Sequence, residues 1–454
     1  MMKAPLPAAI IAAILAAGFA AMLALNLPGQ MSYDSVSQLF DGRFGSYNSW
    51  HPAVMAWLLG LFDSLLSGTA LFVVFEAAML AVAFILSLRR NASWGAVPVA
   101  LGMVLTPQFL LYQGTVWKDV LFADAFVLSF ALLARAVAEN SRMRLTLLVL
   151  FFPALSLAAL ARQNGLLLLP VGALTFALAT GQSNIRRVAC RVLLVLALLL
   201  ALVAAADLLL ARRGDGGEGF RSEIQLAQIY DLTGAVKKGF SLDLLRRSDP
   251  PLAAAIERQG VQVYSLQMQD TLEPVLPAKI APGAVMAQWR ALLLTRPALY
   301  LGTRADLFWQ VVATPDIARC HPAYAGIDGE PAELKALGLA ARIRPRDAKL
   351  AFYARGFMGA PVLSHLVFAA LALALLIFCL RRHGKSDIVI AGMLAGALAF
   401  AASFLFVSVA CDYRYLYPLD LSAMLALFHV FASPSLKMTK IQAIAGSPLR
   451  SRRF

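Results

Sequence analysis

Apolar runs alternate with short polar segments along most of the 454-residue chain. Runs of about 17–25 apolar residues have the length of a membrane span. Residues 5–27, 69–88, 94–112, 120–138, 145–161, 166–180, 192–210, 361–380, 388–410 and 416–431 therefore predict about ten transmembrane helices. Residues 52–66 form a shorter run that carries Asp63. At 1.5 Å per residue such a helix reaches roughly 22 Å, short of a ~30 Å hydrocarbon core, so an interfacial helix is expected there. The first run has small residues around Gly18 and could be a signal peptide. Its length is unusual for a signal core and favours an uncleaved anchor.

The pattern breaks once, at the polar stretch that begins at Arg212. This stretch holds 15 of the chain's 26 acidic residues and Gly- and Pro-rich punctuation such as RRGDGGEG and EPVLPAKIAPG. Helical patterns recur at 285–294 and 297–312. The expected organisation is an N-terminal transmembrane region (1–211), a mostly helical extracytoplasmic domain (212–360), a C-terminal transmembrane region (361–432) and a basic cytoplasmic tail (433–454). The fold class predicted is an all-α polytopic membrane protein. No internal repeat is evident.

Composition excludes the soluble alternatives. Sixty per cent of residues are hydrophobic and 15% charged, with a mean hydropathy of +0.71. That is too apolar for a cytosolic enzyme, a disordered chain or a secreted disulfide scaffold. The net charge of +14 does not point to nucleic acid, because the basic residues cluster between spans. Arg89–Arg90, Arg142 and Arg144, Arg186–Arg187 and Arg191, and Arg381–Arg382 all fall on one side of the predicted topology, as the positive-inside rule requires of cytoplasmic segments. The expectation is a multi-pass protein of the inner (plasma) membrane. The four cysteines have no metal-ligand spacing. Cys320 and Cys411 are the two placed outside, where an oxidising compartment permits a bridge, although sequence fixes no distance between them.

Ionisable residues near membrane depth are costly and read as functional by default. Four places stand out, all near the outer face. Tyr33-Asp34-Ser35, with Gln38 one turn on, offers a general base or metal-site acid, or merely a helix N-cap. His51-Pro52 offers a donor to an anionic group, or a helix start. Trp117-Lys118-Asp119 pairs a phosphate-binding cation with an acid, or caps a span with a snorkelling lysine. Tyr413-Arg414-Tyr415-Leu416-Tyr417-Pro418 sets a planar cationic fork among aromatic rings, suited to phosphate oxygens, or forms an interfacial belt. Arg162-Gln163-Asn164 is a weaker fifth. No phosphate-binding glycine loop, HExxH or GxSxG occurs, so a lipid-linked donor is expected rather than a free nucleotide.

Taken in order, the elements YDS…Q, HP, WKD, RQNG and YRYxYP resemble the GT-C class of integral-membrane glycosyltransferases. The resemblance covers roughly 1–170 and 361–431. It implies a polyprenyl-phosphate-sugar donor, an extracytoplasmic acceptor (a cell-envelope glycan, lipid or protein) and single displacement with inversion. It assigns catalytic roles to Asp34 and Asp119, and donor phosphate binding to Lys118, Arg414, His51 and Arg162. Substrate contacts fall to Tyr33, Gln38, Tyr413, Tyr415 and Tyr417. A divalent cation between Asp34 and Asp119 is allowed but not required. Two departures stand out: Ala53 follows the HP motif where a second Pro is common, and the outer domain lies between spans seven and eight. The competing class is a lipid or solute transporter, which should carry charged sites near mid-membrane. Only Asp207, Glu76 and Asp124 are placed inside spans by this reading, with no evident relay.

Overall fold

The computed structural model describes residues 6–47, 50–140, 142–181, 184–211, 218–267 and 271–433. The expected tail from 434 onward lies outside them. Among these residues there is helix and no strand; three isolated bridges, Gln30 to Thr115, Met31 to Ile327 and Ile327 to Arg342, are the extended pairings. The chain is an all-α polytopic membrane protein.

Eight helices among the described residues are long and apolar enough to cross a membrane. They include α1 (Leu6–Asn26), α4 (Ala70–Ser87), α8 (Met143–Ala161) and α10 (Ile185–Ala211). A short 3₁₀ turn joined to α9 (Leu168–Thr180) makes another. Late in the chain come α14 (His365–Arg382), α15 (Lys385–Val407) and α16 (Tyr417–Ala432). The run expected as one straight span at 94–112 is broken. Helix α5 (Ala96–Val104) ends, and α6 (Pro107–Leu110) continues at 56° to it with a 3₁₀ turn at Tyr112–Gly114. Pro107 supplies no N–H and holds Thr106 extended, and Thr106 Oγ1 accepts from Phe109 N at 3.3 Å, restarting the helix.

The remaining expected span is α7 (Lys118–Ala136). It carries Lys118, Asp119, Asp124 and Arg135, too many charges for a lipid-facing helix. Packing explains how they are tolerated: α7 lies at the centre, against α4, α8, α15 and α16, and nearly all of it is buried. Helix α16 is also central, with 78% of its span buried, against 17% for the peripheral α10.

Between the spans, α2 (Tyr33–Phe44) and α3 (Ala53–Leu65) pack against each other. They approach so closely that a Cβ on Gly42 would fall on the Ala56 carbonyl, and one on Gly60 on the Gly42 carbonyl. At 13 residues, α3 is too short to span. The polar stretch after α10 divides in two. Residues between Leu226 and Tyr300 build their own apolar core from α11 (Glu218–Lys237), α12 (Ala284–Thr295) and the start of α13 (Pro297–Ala313). Val311, Ile327, Leu334 and Leu337 instead join the core of the bundle. A disulfide joins Cys320 to Cys411 across a Cα separation of 5.1 Å, tying this stretch to the segment that follows the C-terminal end of α15.

Candidate active site

One end of the bundle holds a cavity of about 450 Å³. Asp34, His51, Lys118, Asp119, Arg162, Arg414 and Tyr415 line it, so four well-separated sequence segments and the Arg162 turn converge there. The opposite wall comes from α11, α12 and α13 and includes Glu223, Asp231, Trp289 and Arg304.

Local structure decides between the two meanings of each motif. The N-cap of α2 is Ser32, whose backbone N–H donates to Ser35 Oγ at 3.1 Å, so Asp34 is not a cap. It stands in the first turn, where the helix dipole favours an anion, and accepts from Arg414 Nη1 at 2.8 Å. Asp119 likewise lies in the first turn of α7 and not at its cap, Trp117. It forms a close ion pair with Arg162, and Arg414 Nε lies 3.9 Å away. The two acids differ in access: 29% of the Asp34 side chain is exposed, against 1% for Asp119.

Arg414 is the hub. Its Nε donates to Asp412 Oδ2 at 2.8 Å, and its guanidinium lies 5.2 Å from the Trp117 ring centre. Arg162 rests against the rings of Phe404 (5.4 Å) and Tyr415 (5.5 Å). Lys118 differs from both: among the described residues no carboxylate lies within 4.0 Å of it, and its Nζ meets His51 Nδ1 at 3.2 Å. The ammonium has only N–H donors, so Nδ1 accepts and the ring proton sits on Nε2, 3.9 Å from Asp34 Oδ1.

The electrostatics follow. Burial disfavours the charged form of Asp34, but Arg414, His51 and Lys118 together outweigh it and hold the carboxyl below the usual range. His51 is pushed down to about 3, first by burial and then by Lys118, with Asp34 opposing. At neutral pH Asp34 is ionised and His51 neutral. Glu223 on α11 is raised, mainly by burial, against the pull of Lys118 and Arg162. It accepts from Gln163 Nε2 at 2.9 Å.

Several expected substrate contacts lie elsewhere. Tyr33 points outward, its hydroxyl donating to Glu330 at 2.6 Å. Gln38 is buried and donates to the backbone of Asp34 at 3.1 Å. Tyr413 and Tyr417 are fully buried in the bundle. The period of a 3₁₀ turn sends only Arg414 and Tyr415 into the cavity. The donor set suits no divalent cation either: Asp34 and Asp119 are each occupied by a guanidinium with Lys118 beside them, and among the described residues no group of three metal-ligating side chains occurs. Glu223, Asp231, Trp289 and Arg304 carried no signal in the sequence, because polar residues are ordinary in the stretch they come from. Asp231 and Arg304 pair at 2.7 Å, and Trp289 Nε1 donates to the same carboxylate oxygen at 2.8 Å.

Fold and site define a multi-pass helical membrane protein with a charged cavity at one end of its bundle. No protein-family model matches the chain, and no curated protein matches it. Among solved structures, it is similar to the archaeal oligosaccharyltransferase AglB from Archaeoglobus fulgidus, determined in complex with an inhibitory peptide and a dolichol-phosphate. The identity is 15% and the TM-score 0.39, a value too low to establish a shared fold. The match covers 97% of this chain and 52% of that one, so the chain spans about half the length of that structure.

Proposed function

We propose that the chain is a membrane glycosyltransferase that moves a sugar from a polyprenyl-phosphate donor to an extracytoplasmic acceptor hydroxyl. The carrying observation is the meeting, in one cavity, of an ionised and reachable carboxylate, Asp34, with three cations: Lys118, Arg162 and Arg414. The wall beside them is apolar, with Ile224, Leu226, Phe406, Val407 and Val409, as a lipid-linked phosphate would require. Sidedness rests on two further observations. The disulfide, which needs an oxidising compartment, lies at the cavity end, next to Arg414 in sequence. Arg89 and Arg382 lie at the other end, bonded to Ser386 (2.9 Å) and Asp387 (3.2 Å). The cavity thus faces away from the cytoplasm of the plasma (inner) membrane. Helices α11, α12 and α13 wall it from the stretch read as an extracytoplasmic domain.

The chemistry is a single displacement. The acceptor oxygen bonds to the anomeric carbon as the bond from that carbon to the phosphate oxygen breaks. The electron pair leaves with the phosphate, the acceptor proton passes to Asp34, and the anomeric centre inverts. Lys118 anchors the phosphate, since no carboxylate competes for it, and His51 offers its Nε2–H. A phosphate that draws Arg414 off Asp34 raises that carboxylate's proton affinity as the base is needed. Asp119 is sealed under Arg162 and serves to position the cations.

The test uses purified protein in lipid nanodiscs. Saturable binding of polyprenyl phosphate, absent with the uncharged polyprenol and weakened at least tenfold by Lys118→Ala, is the expected result. Equal binding of the phosphate and the alcohol would overturn the reading.

A further inference from the structure

The deepest acids of the bundle lie outside this site. Glu76 on α4 and Asp124 on α7 each sit six residues, roughly 9 Å, in from the cavity end of their helices. Both are fully buried, on helices that pack directly against each other. Gln113, from the broken span, donates its amide to Asp124 Oδ2, and its own Oε1 meets the Tyr417 hydroxyl at 3.4 Å. That leaves Asp124 Oδ1 and both carboxyl oxygens of Glu76 with no hydrogen-bond donor.

Two buried carboxylates in a membrane interior need a compensating positive charge. The surroundings supply none. Helix α1 has no titratable residue, and α3 has only Asp63, paired with Arg43 at 2.6 Å. Tyr112 and, on α16, Tyr417 and Asp420 are phenols and an acid; Asp420 is itself held by His365 at 2.8 Å. Among the described residues no Lys, Arg or His lies within 4.0 Å of either carboxyl, and no third metal-ligating side chain completes a set around them.

We propose that Glu76 and Asp124 form a proton-binding site inside the bundle, carrying at least one proton between them at neutral pH. Protonation turns an acceptor-only carboxylate into a donor. It thereby supplies an O–H for the acceptor atoms that have none and removes the repulsion between the two acids. The site lies on a longer polar chain: Tyr417 O–H reaches the Gln108 backbone carbonyl at 3.4 Å, Gln108 Nε2 donates to the Tyr413 hydroxyl at 2.9 Å, and Tyr413 O–H donates to Asp420 at 2.7 Å. The site is independent of the glycosyltransferase reading.

Infrared difference spectroscopy on the full chain in nanodiscs tests it. At pH 7 the wild type should show protonated-carboxyl intensity that shifts in D2O, each of Glu76→Gln and Asp124→Asn should change that band, and the double variant should remove the equivalent of at least one carboxyl. Both variants should fold with near-native thermal stability, since an amide mimics the neutral acid. Sodium, magnesium or calcium should leave the band unchanged. Spectra in which the double variant keeps all the protonated-carboxyl intensity would overturn the proposal. So would loss of the band on adding one of these cations, or failure of both amide variants to fold.

Discussion

The bundle holds two groups of carboxylates that answer the same electrostatic problem in opposite ways. Around the cavity, Asp34, Asp119 and Asp412 are each met by a guanidinium. Six residues deeper, Glu76 and Asp124 have no cation at all. The difference follows from access. The cavity leaves the Asp34 side chain 29% exposed, so its ion pair with Arg414 stays partly solvated. An ion pair at the buried contact of α4 and α7 would have to be desolvated completely, which often costs more than it returns. Acids paired with guanidinium groups thus gather at the cavity end, and acids without a cation lie in the packed interior.

Predictions that break or sharpen this contrast can be ranked by size. Asp34→Asn keeps the side-chain size and removes the proton acceptor. Transfer should fall by about 10²–10⁴-fold while the protein still inserts and folds; near-normal turnover with intact binding would remove Asp34 from the chemistry. Arg162→Ala leaves Asp119 buried and uncompensated, and should lower stability in micelles by about 3–5 kcal/mol. Unfolding midpoints would report it. Arg414→Lys keeps the charge but loses the fork that reaches both Asp34 and Asp412. Donor binding should weaken by about 10–100-fold, the range for hydrogen bonds to charged groups, as titration with polyprenyl phosphate would show. By contrast, Glu76→Gln should change stability by less than about 1 kcal/mol, because it replaces a neutral donor with another.

The smallest effect concerns pH. His51 has a folded-state pKa near 3, below the ordinary histidine value of 6.5. The stability it permits is therefore complete above about pH 6.5 and is lost as pH falls toward 3, where the unfolded chain takes up a proton that the folded one refuses. His51→Gln should flatten the fall in melting temperature across that window relative to wild type. An activity profile should show no inflection from His51 between pH 6 and 7.

Much of the site was legible because charge in an apolar run is conspicuous. Asp34, His51, Lys118, Asp119, Arg162 and Arg414 stand out against their surroundings, and all of them line the cavity. The neighbouring tyrosines misled, since a short motif does not say which residue of a tight turn faces outward. Tyr413 and Tyr417 point into the core, whereas Tyr415 lines the cavity. The acids inside spans were under-read. Asp420 also lies in one, in α16, and with Gln108, Gln113, Tyr413 and Tyr417 it joins a polar network that only helix packing assembles.

Sequence by itself determined that this chain is a helical membrane protein and where its charges fall along the helices. Both follow from local quantities: the length of an apolar run against the thickness of a bilayer, and the cost of a charge within it. Tertiary structure alone decided that α7 and α16 are central, that Cys320 meets Cys411, and which acids find cations. Those outcomes depend on contacts between segments distant along the chain, Asp34 with Arg414 or Asp119 with Arg162. No local pattern of residues encodes a distance between them.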